Sequence, residues 1–214
     1  MELPTPPKPL LRGRLHQIAF LASIPAGITL VALAQGAEAR VGAAIFALSL
    51  TGLYGVSAAY HRGHWSARVQ RVMRRLDHSM IYVLIAGSYT PVTLLALRPA
   101  WGVTLLALAW TGAAIGIVIT ILRLERWSAA GHALYLVLGW LAIVAAPQLA
   151  RSLTRAEMAL LVTSGVLYTV GAIVLARERP DPRPAVFGYH EVWHTFVVSA
   201  SASHFALVLL LVRA

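Results

Sequence analysis

Residues 101–122 read WGVTLLALAWTGAAIGIVITIL, an apolar stretch without a single Asp, Glu, Lys or Arg. An α-helix needs about 20 such residues to cross the hydrocarbon core of a bilayer. The rest of the chain has the same character, since 58% of its 214 residues are hydrophobic and only 12% are charged, against about 25% charged in a soluble domain. A membrane β-barrel is excluded, because its strands alternate apolar and polar residues. The stretch therefore predicts an all-α integral membrane protein.

Six further apolar stretches of similar length flank this one. With short connections between them, they predict one domain over residues 15–214, a bundle of seven transmembrane helices. The first stretch follows Lys8, Arg12 and Arg14, as a secretory signal would, but it is longer than the hydrophobic region of a signal peptide. Residues 1–14 are then a cytoplasmic tail. The predicted spans are residues 15–35, 40–60, 77–97, 101–122, 129–149, 156–176 and 190–212.

The distribution of basic residues predicts the orientation. Cytoplasmic loops of membrane proteins carry an excess of Lys and Arg, and 13 of the 18 such residues lie in the tail and in the loops on its side of the membrane. The N-terminus is therefore expected in the cytoplasm and the C-terminus outside, in a multi-pass protein of the plasma membrane. The net charge of +10 follows from this bias and from attraction to anionic headgroups, so no nucleic-acid partner is expected. Residues 68–76 predict a short amphipathic helix at the membrane surface.

Four polar residues from three predicted helices fall at one depth in this topology, near the cytoplasmic face. His61 ends the second span, Asp77 begins the third, and His190 and His194 begin the seventh, one turn apart on one helix face. Ionisable groups inside a membrane are costly and mark functional sites by default. Three imidazoles with one open position are the pattern of catalytic zinc, and the chain has no Cys. We therefore predict Zn2+ as the cofactor, with His61, His190 and His194 as its ligands.

Asp77 and Ser57 are the predicted catalytic residues of this site. Zinc lowers the pKa of a bound water to about 7, and Asp77 could bind the metal directly or take a proton from that water. Ser57 lies four residues before His61 and shares its helix face, where it can donate a hydrogen bond to the water or to a substrate carbonyl. The alternative for His61 and Asp77 is an interfacial position facing headgroups. For His190 and His194 it is a chance spacing at a helix start.

The sequence HEVWH at residues 190–194 also matches H-E-x-x-H, the zinc protease motif in which the Glu is the general base. An intramembrane zinc protease is therefore an open alternative, with Glu191 in the role of Asp77. If Asp77 has that role, Glu191 is an ordinary first-turn residue that the helix dipole stabilises. The remaining histidines give weaker signals, because His204 lies about 15 Å deeper along its helix and His78 points away from Asp77. No specific pattern involves His16, His64 and His132.

Five short motifs, taken together, resemble the hemolysin III family. They are SAAYH at 57–61, RLDH at 75–78, IAGSYTP at 85–91, YHEVWH at 189–194 and HF at 204–205. This family is the prokaryotic branch of the progestin and adiponectin receptor (PAQR) family, which is related to the alkaline ceramidases. The resemblance covers essentially the whole chain.

The resemblance implies a zinc ion held by residues that match His61, His190 and His194, an Asp matching Asp77 that acts through a water, and a Ser matching Ser57. The ceramidase activity of relatives implies the first hypothesis, a zinc-dependent hydrolase of lipid amides with membrane lipids as its partners. The second hypothesis is a non-catalytic regulator of membrane lipid state and energetics, in which zinc clamps three helices. The third, from the family name, is a cytolytic pore, although the sequence offers no ring of charged residues along one lumen.

Overall fold

The computed structural model describes residues 8–123 and 128–214, and this part of the chain consists of α-helices and one 3-10 segment joined by short loops. Residues 1–7 of the predicted tail, residues 124–127 and the side chain of His132 lie outside the described part. The elements are α1 (Arg14–Leu33), α2 (Ala37–Arg62), α3 (Ala67–Ala96), α4 (Pro99–Arg123), α5 (Ser128–Gly139), a 3-10 segment (Leu141–Ala145), α6 (Ala146–Ser152), α7 (Arg155–Arg177) and α8 (Tyr189–Arg213).

Seven helical segments within the described ranges are long and apolar enough to cross a membrane. They confirm the predicted class, an all-α bundle of seven spans in a multi-pass membrane protein. Six are single helices, and the fifth, Ala133–Ser152, combines most of α5 with the 3-10 segment and α6. Large apolar side chains on the outside of the bundle are exposed, for example Leu48 at 73% and Ile18 at 66%, as expected of surfaces that face lipid. The cytoplasmic position of the N-terminus stays a prediction from the basic residues.

The third span differs from the expectation at its start. The sequence predicted a short surface helix over residues 68–76 followed by a separate span from Asp77. Instead α3 is one helix from Ala67 to Ala96, and the Ser66 side chain caps it by accepting the N–H of Val69. The helix continues because Arg is a good helix former whose long side chain can reach the headgroups. Asp77 therefore lies within a continuous helix, with helical turns before and after it.

Small residues allow the helices to approach closely. Gly112 and Gly116 form a G-x-x-x-G pair in α4, and a Cβ atom on either would overlap a neighbouring side chain, Leu138 for the first and Tyr82 for the second. Such pairs are a common device where helices pack in lipid, since van der Waals contact replaces the hydrophobic effect there. α8 lies inside the bundle, in contact with α1, α2, α3 and α7. This central position lets residues of α8 meet those of several helices.

One end of the bundle gathers the N-terminal tail and two loops. The N–H groups of Leu10 and Leu11 donate to the carbonyl oxygens of Ala185 and Val186 in the loop before α8, each at 3.1 Å. Gly13 then turns the chain into α1 with a left-handed conformation, φ +76°. The first turns of α1 and α8 and the last turn of α2 therefore meet at this end.

Candidate metal centre

Three imidazoles converge at this end of the bundle. His61 lies in the last turn of α2, and His190 and His194 lie in the first two turns of α8. One ring nitrogen of each lies within 4.8 Å of the other two. The Nε2 atoms of His61 and His190 are 3.2 Å apart, close to the ~3.3 Å expected between two ligands of a tetrahedral zinc with Zn–N bonds near 2.0–2.1 Å. The three histidines predicted from the sequence could thus hold one metal ion.

His194 supplies a second argument for a metal, independent of that distance. The distance between His61 and His190 alone would also suit a hydrogen bond between the two rings. His194, however, is only 1% exposed, and neither of its ring nitrogens has a hydrogen-bond partner among the described residues. A buried polar group without a partner costs about 1–3 kcal/mol. A metal would satisfy one of these nitrogens, and three imidazoles are a donor set that zinc accepts readily.

Asp77 of α3 and Ser57 of α2 lie beside the three histidines. The Oδ2 atom of Asp77 is 3.8 Å from Nε2 of His61, and the Ser57 hydroxyl is placed to hydrogen-bond the Asp77 carboxylate. Both side chains are buried, with 9% of Asp77 and 3% of Ser57 exposed. Asp77 does not belong to the set of ligand atoms within 4.8 Å of one another. Of the two roles that the sequence left open for Asp77, the geometry favours the outer one over direct ligation.

Glu191 has partners of its own. It is 0% exposed, one carboxylate oxygen accepts the N–H of Gly188 at 2.9 Å, and the other forms an ion pair with Arg12. The first contact caps α8, as expected of an acidic residue in the first turn of a helix. The second joins the N-terminal tail to α8. These contacts account for Glu191 without the role at the metal that the H-E-x-x-H motif would give it.

His16 is the residue near the site that the sequence analysis missed. Its ring lies parallel to that of His194, with 3.7 Å between the ring centroids and 8° between the planes. His16 is 2% exposed, and neither ring nitrogen has a hydrogen-bond partner in the described part. The sequence held one usable signal, since residue 16 starts the first span at the same predicted depth as His61. No spacing pattern singled it out, because the ligand histidines lie on helices that are far from α1 in the sequence.

The N-terminal tail packs directly on the centre. A Cβ atom on Gly13 would lie 2.7 Å from Cβ of His61, so only glycine fits between the tail and this ligand. Arg12 beside it reaches Glu191 on α8. The tail therefore closes one side of the candidate metal centre.

Two further histidines make hydrogen bonds away from the site. In α8, Nε2 of His204 lies 3.1 Å from the carbonyl oxygen of Ser88, and its Nδ1 lies 3.5 Å from the Ser164 hydroxyl. In α3, Nδ1 of His78 lies 2.7 Å from the carbonyl oxygen of Arg74. His204 thus links α8 to α3 and α7, and His78 bonds within its own helix.

Similarity to known proteins agrees with the motifs. The family model described as "Haemolysin-III related" matches residues 5–205. Hemolysin-3 of Bacillus cereus is 40% identical over 197 residues, which is 91% of this chain and 87% of the relative. The Hemolysin-3 homolog of Bacillus subtilis (strain 168) is 37% identical over 197 residues, again 91% of this chain and 89% of the relative.

A more distant similarity reaches animals. The monocyte to macrophage differentiation factor of Homo sapiens is 24% identical over 200 residues, covering 89% of this chain and 78% of that protein. This match supports the relationship to the progestin and adiponectin receptor family, and an inner-membrane location is consistent with the bacterial relatives. Because the family model spans nearly the whole chain and both Bacillus proteins align over most of their length, this multi-pass membrane protein belongs to the haemolysin III family.

Proposed function

We propose that this protein binds zinc at His61, His190 and His194 and hydrolyses amides of membrane lipids, in the manner of the alkaline ceramidases. The observation that carries the proposal is the buried His194, whose ring nitrogens lack partners among the described residues, beside a buried carboxylate and a buried hydroxyl. Zinc supplies Lewis-acid chemistry at such a site, polarising a carbonyl and activating a water. The remaining steps fall to the side chains around it.

Asp77 is the proton acceptor in this proposal. Its Oδ2 atom, 3.8 Å from Nε2 of His61, is near enough to take a proton from a water at the centre and later return it to the leaving amine. The Ser57 hydroxyl can donate a hydrogen bond to this carboxylate and would thereby fix its orientation. Placing both groups within a low-dielectric bundle strengthens their action on a charge that develops during the reaction.

A non-catalytic zinc clamp is the second candidate, and the tail favours it. Arg12, Gly13 and His16 close one side of the centre, and the three histidines join α2 to α8. In this case zinc would hold the end of the bundle together, and the protein would influence membrane lipid state without turnover. Asp77 separates the two candidates, since a clamp requires the histidines but no proton acceptor.

Metal content tests the part that both candidates share. We expect the purified chain to carry about one zinc ion, and a His190→Ala/His194→Ala variant to lose it. If the wild-type protein takes up no zinc after incubation with the ion and gel filtration, both candidates are wrong.

Asp77→Asn tests catalysis with little change of shape. We expect this variant to fold and bind zinc. Its release of fatty acid from a ceramide probe in vesicles should be slower by at least about 100-fold, the scale of a lost general base. Glu157→Gln in α7 is the matched control, because Glu157 is also buried but, within the described part of the chain, its side chain bonds to Thr154 alone, at its own helix cap. Unchanged lipid turnover and lipid composition in cells expressing Asp77→Asn would refute the hydrolase. Leakage of vesicle contents that ignores every substitution would favour the cytolysis that the name Hemolysin-3 suggests for the Bacillus cereus relative.

A further inference from the structure

The stacked pair of His16 and His194 joins α1 to the candidate metal centre. The two rings are stacked and nearly parallel, with 8° between their planes and 3.7 Å between their centroids. Tyr54 of α2 packs on His16 with its ring centroid at 5.1 Å, so His16 lies between α2 and α8. The contact buries His16 almost completely, at 2% exposed.

His194 lacks the support that a metal-binding histidine usually has. Such a residue almost always donates its second ring N–H to a carboxylate or carbonyl, and this bond fixes the ring plane. Among the described residues neither nitrogen of His194 has such an acceptor. His61, His190 and Trp193 meet it at steep angles, 66°, 60° and 52°, and His16 is the ring that lies parallel to its face. The plane of His194 is therefore set by stacking instead of by a hydrogen bond.

We propose that His16 is a positioning residue of the metal centre: by stacking on His194 it holds that ring where its nitrogen faces His61 and His190. This rests on the zinc binding of the proposed function, but not on catalysis. Flat rings stacked at this distance are in van der Waals contact across their faces, so a ring at position 16 opposes tilting of the His194 plane where a branched aliphatic side chain would not. Zinc at the three histidines thereby also fastens the first turn of α1.

Two substitutions separate stacking from the loss of volume. His16→Phe keeps an aromatic face over His194, whereas His16→Leu fills similar space without one. Leu30→Ala serves as the control, because Leu30 is a fully buried residue of the same helix that belongs to the apolar core. It tests for general destabilisation of α1.

The experiment measures zinc dissociation constants of the full chain in detergent by competition with a chelator, together with the rise in melting temperature that zinc causes. We expect His16→Leu to weaken zinc binding about 10- to 100-fold, the range for lost second-layer support of a ligand, and to reduce the zinc-dependent rise. His16→Phe should stay close to the wild type, and Leu30→Ala should melt earlier with unchanged zinc affinity.

Three other outcomes would contradict the positioning role, the stacking or the zinc site itself. Wild-type affinity in His16→Leu would overturn the positioning role while leaving the zinc site intact. Equal weakening in His16→Phe and His16→Leu would assign the effect to the ring nitrogens, and stacking would be wrong. A wild-type chain that binds no zinc would instead remove the proposed function itself.

Discussion

Replacing Arg12 by Met should destabilise this protein more than replacing Glu191 by Gln, although both changes break the same ion pair. The reason is the unequal burial of the partners, since the Glu191 side chain is 1% exposed and that of Arg12 is 22% exposed. Without Arg12, the buried Glu191 carboxylate keeps the N–H of Gly188 as its remaining partner among the described residues, and burying such a group without its ion-pair partner is costly. Without the charge on Glu191, Arg12 can still turn towards solvent.

The burial of the two partners sets the loss of stability that we expect in each variant. Removing one partner of a buried ion pair costs about 3–5 kcal/mol, so we expect Arg12→Met to lower the free energy of unfolding by about 4 kcal/mol. Glu191→Gln keeps an oxygen that can accept the Gly188 N–H and loses the charge-assisted bond, at a cost of about 1.5–3 kcal/mol. In the double variant no charge is left unpaired. It should therefore be about 3 kcal/mol more stable than additive single effects would give.

Equilibrium unfolding in detergent micelles measures all four corners of this cycle. Arg14→Met is the matched control, because Arg14 is exposed at the start of α1 and its side chain bonds to Gln17 alone among the described residues, so its loss should change stability by about 0.5 kcal/mol or less. Additive single effects, or a larger loss for Glu191→Gln than for Arg12→Met, would refute the argument from burial. A Glu191→Gln protein that folds and binds zinc but loses all hydrolysis would return Glu191 to the role of general base.

Two further predictions concern neighbours of the ligands. Gly13→Ala and Gly36→Ala should each lose about 1–2 kcal/mol of stability, because both glycines have a positive φ, +76° and +86°. Only Gly13→Ala should also weaken zinc binding, because its Cβ atom would displace His61, whereas a Cβ atom on Gly36 meets no described atom within 4 Å. A chelator titration decides this, and equal zinc affinities would contradict the packing of the tail on the centre. Ser57→Ala should retain zinc and slow lipid hydrolysis about 10- to 100-fold, because the Asp77 carboxylate loses the hydroxyl that orients it. Ser49→Ala removes a hydrogen bond within the same helix and should leave the rate of hydrolysis unchanged. Equal rates in these two variants would show that Ser57 has no role at the site.

The spans were predictable because continuous apolar runs have one solution in a bilayer. The sixth predicted span, 156–176, nearly coincides with α7 at Arg155–Arg177. Hydropathy failed where a helix leaves the apolar layer, since the arginines before Asp77 lowered the apolar score while the helix continued through them. It also missed the break in the fifth span, where α5 gives way to a 3-10 segment at Leu141. Pro147 lies in the first turn of α6, where a missing backbone N–H is tolerated, but Pro25 and Pro91 lie inside unbroken helices, so proline alone does not account for this break.

The candidate site was predictable only where spacing or topology constrained it. His190 and His194 share a helix face by their separation of four residues, and the basic residues placed His61 and Asp77 at the same depth. The contacts of Arg12 and His16 could not be predicted, because they depend on how the tail and the first turn of α1 pack against the ends of α2 and α8, for which a single sequence contains no periodic signal. Tertiary packing alone brings these residues to the centre.

Asp77 gives the strongest physical reason to prefer a hydrolase over a clamp. A carboxylate within a membrane bundle is expensive and persists where it serves a function. The Oδ2 atom of Asp77 lies 3.8 Å from Nε2 of His61, the ring nitrogen that faces His190, so the carboxylate is on the side of the ring where a reacting water would lie. Ser57 adds a buried hydroxyl that can donate a hydrogen bond to Asp77. Replacing both by apolar residues of similar size should raise stability, because two polar groups would leave the interior. Both candidates therefore predict a higher melting temperature for Asp77→Leu/Ser57→Ala, and lipid turnover separates them. A hydrolase predicts that this variant is stable but inactive, whereas a clamp predicts that its effect on membrane lipids is unchanged.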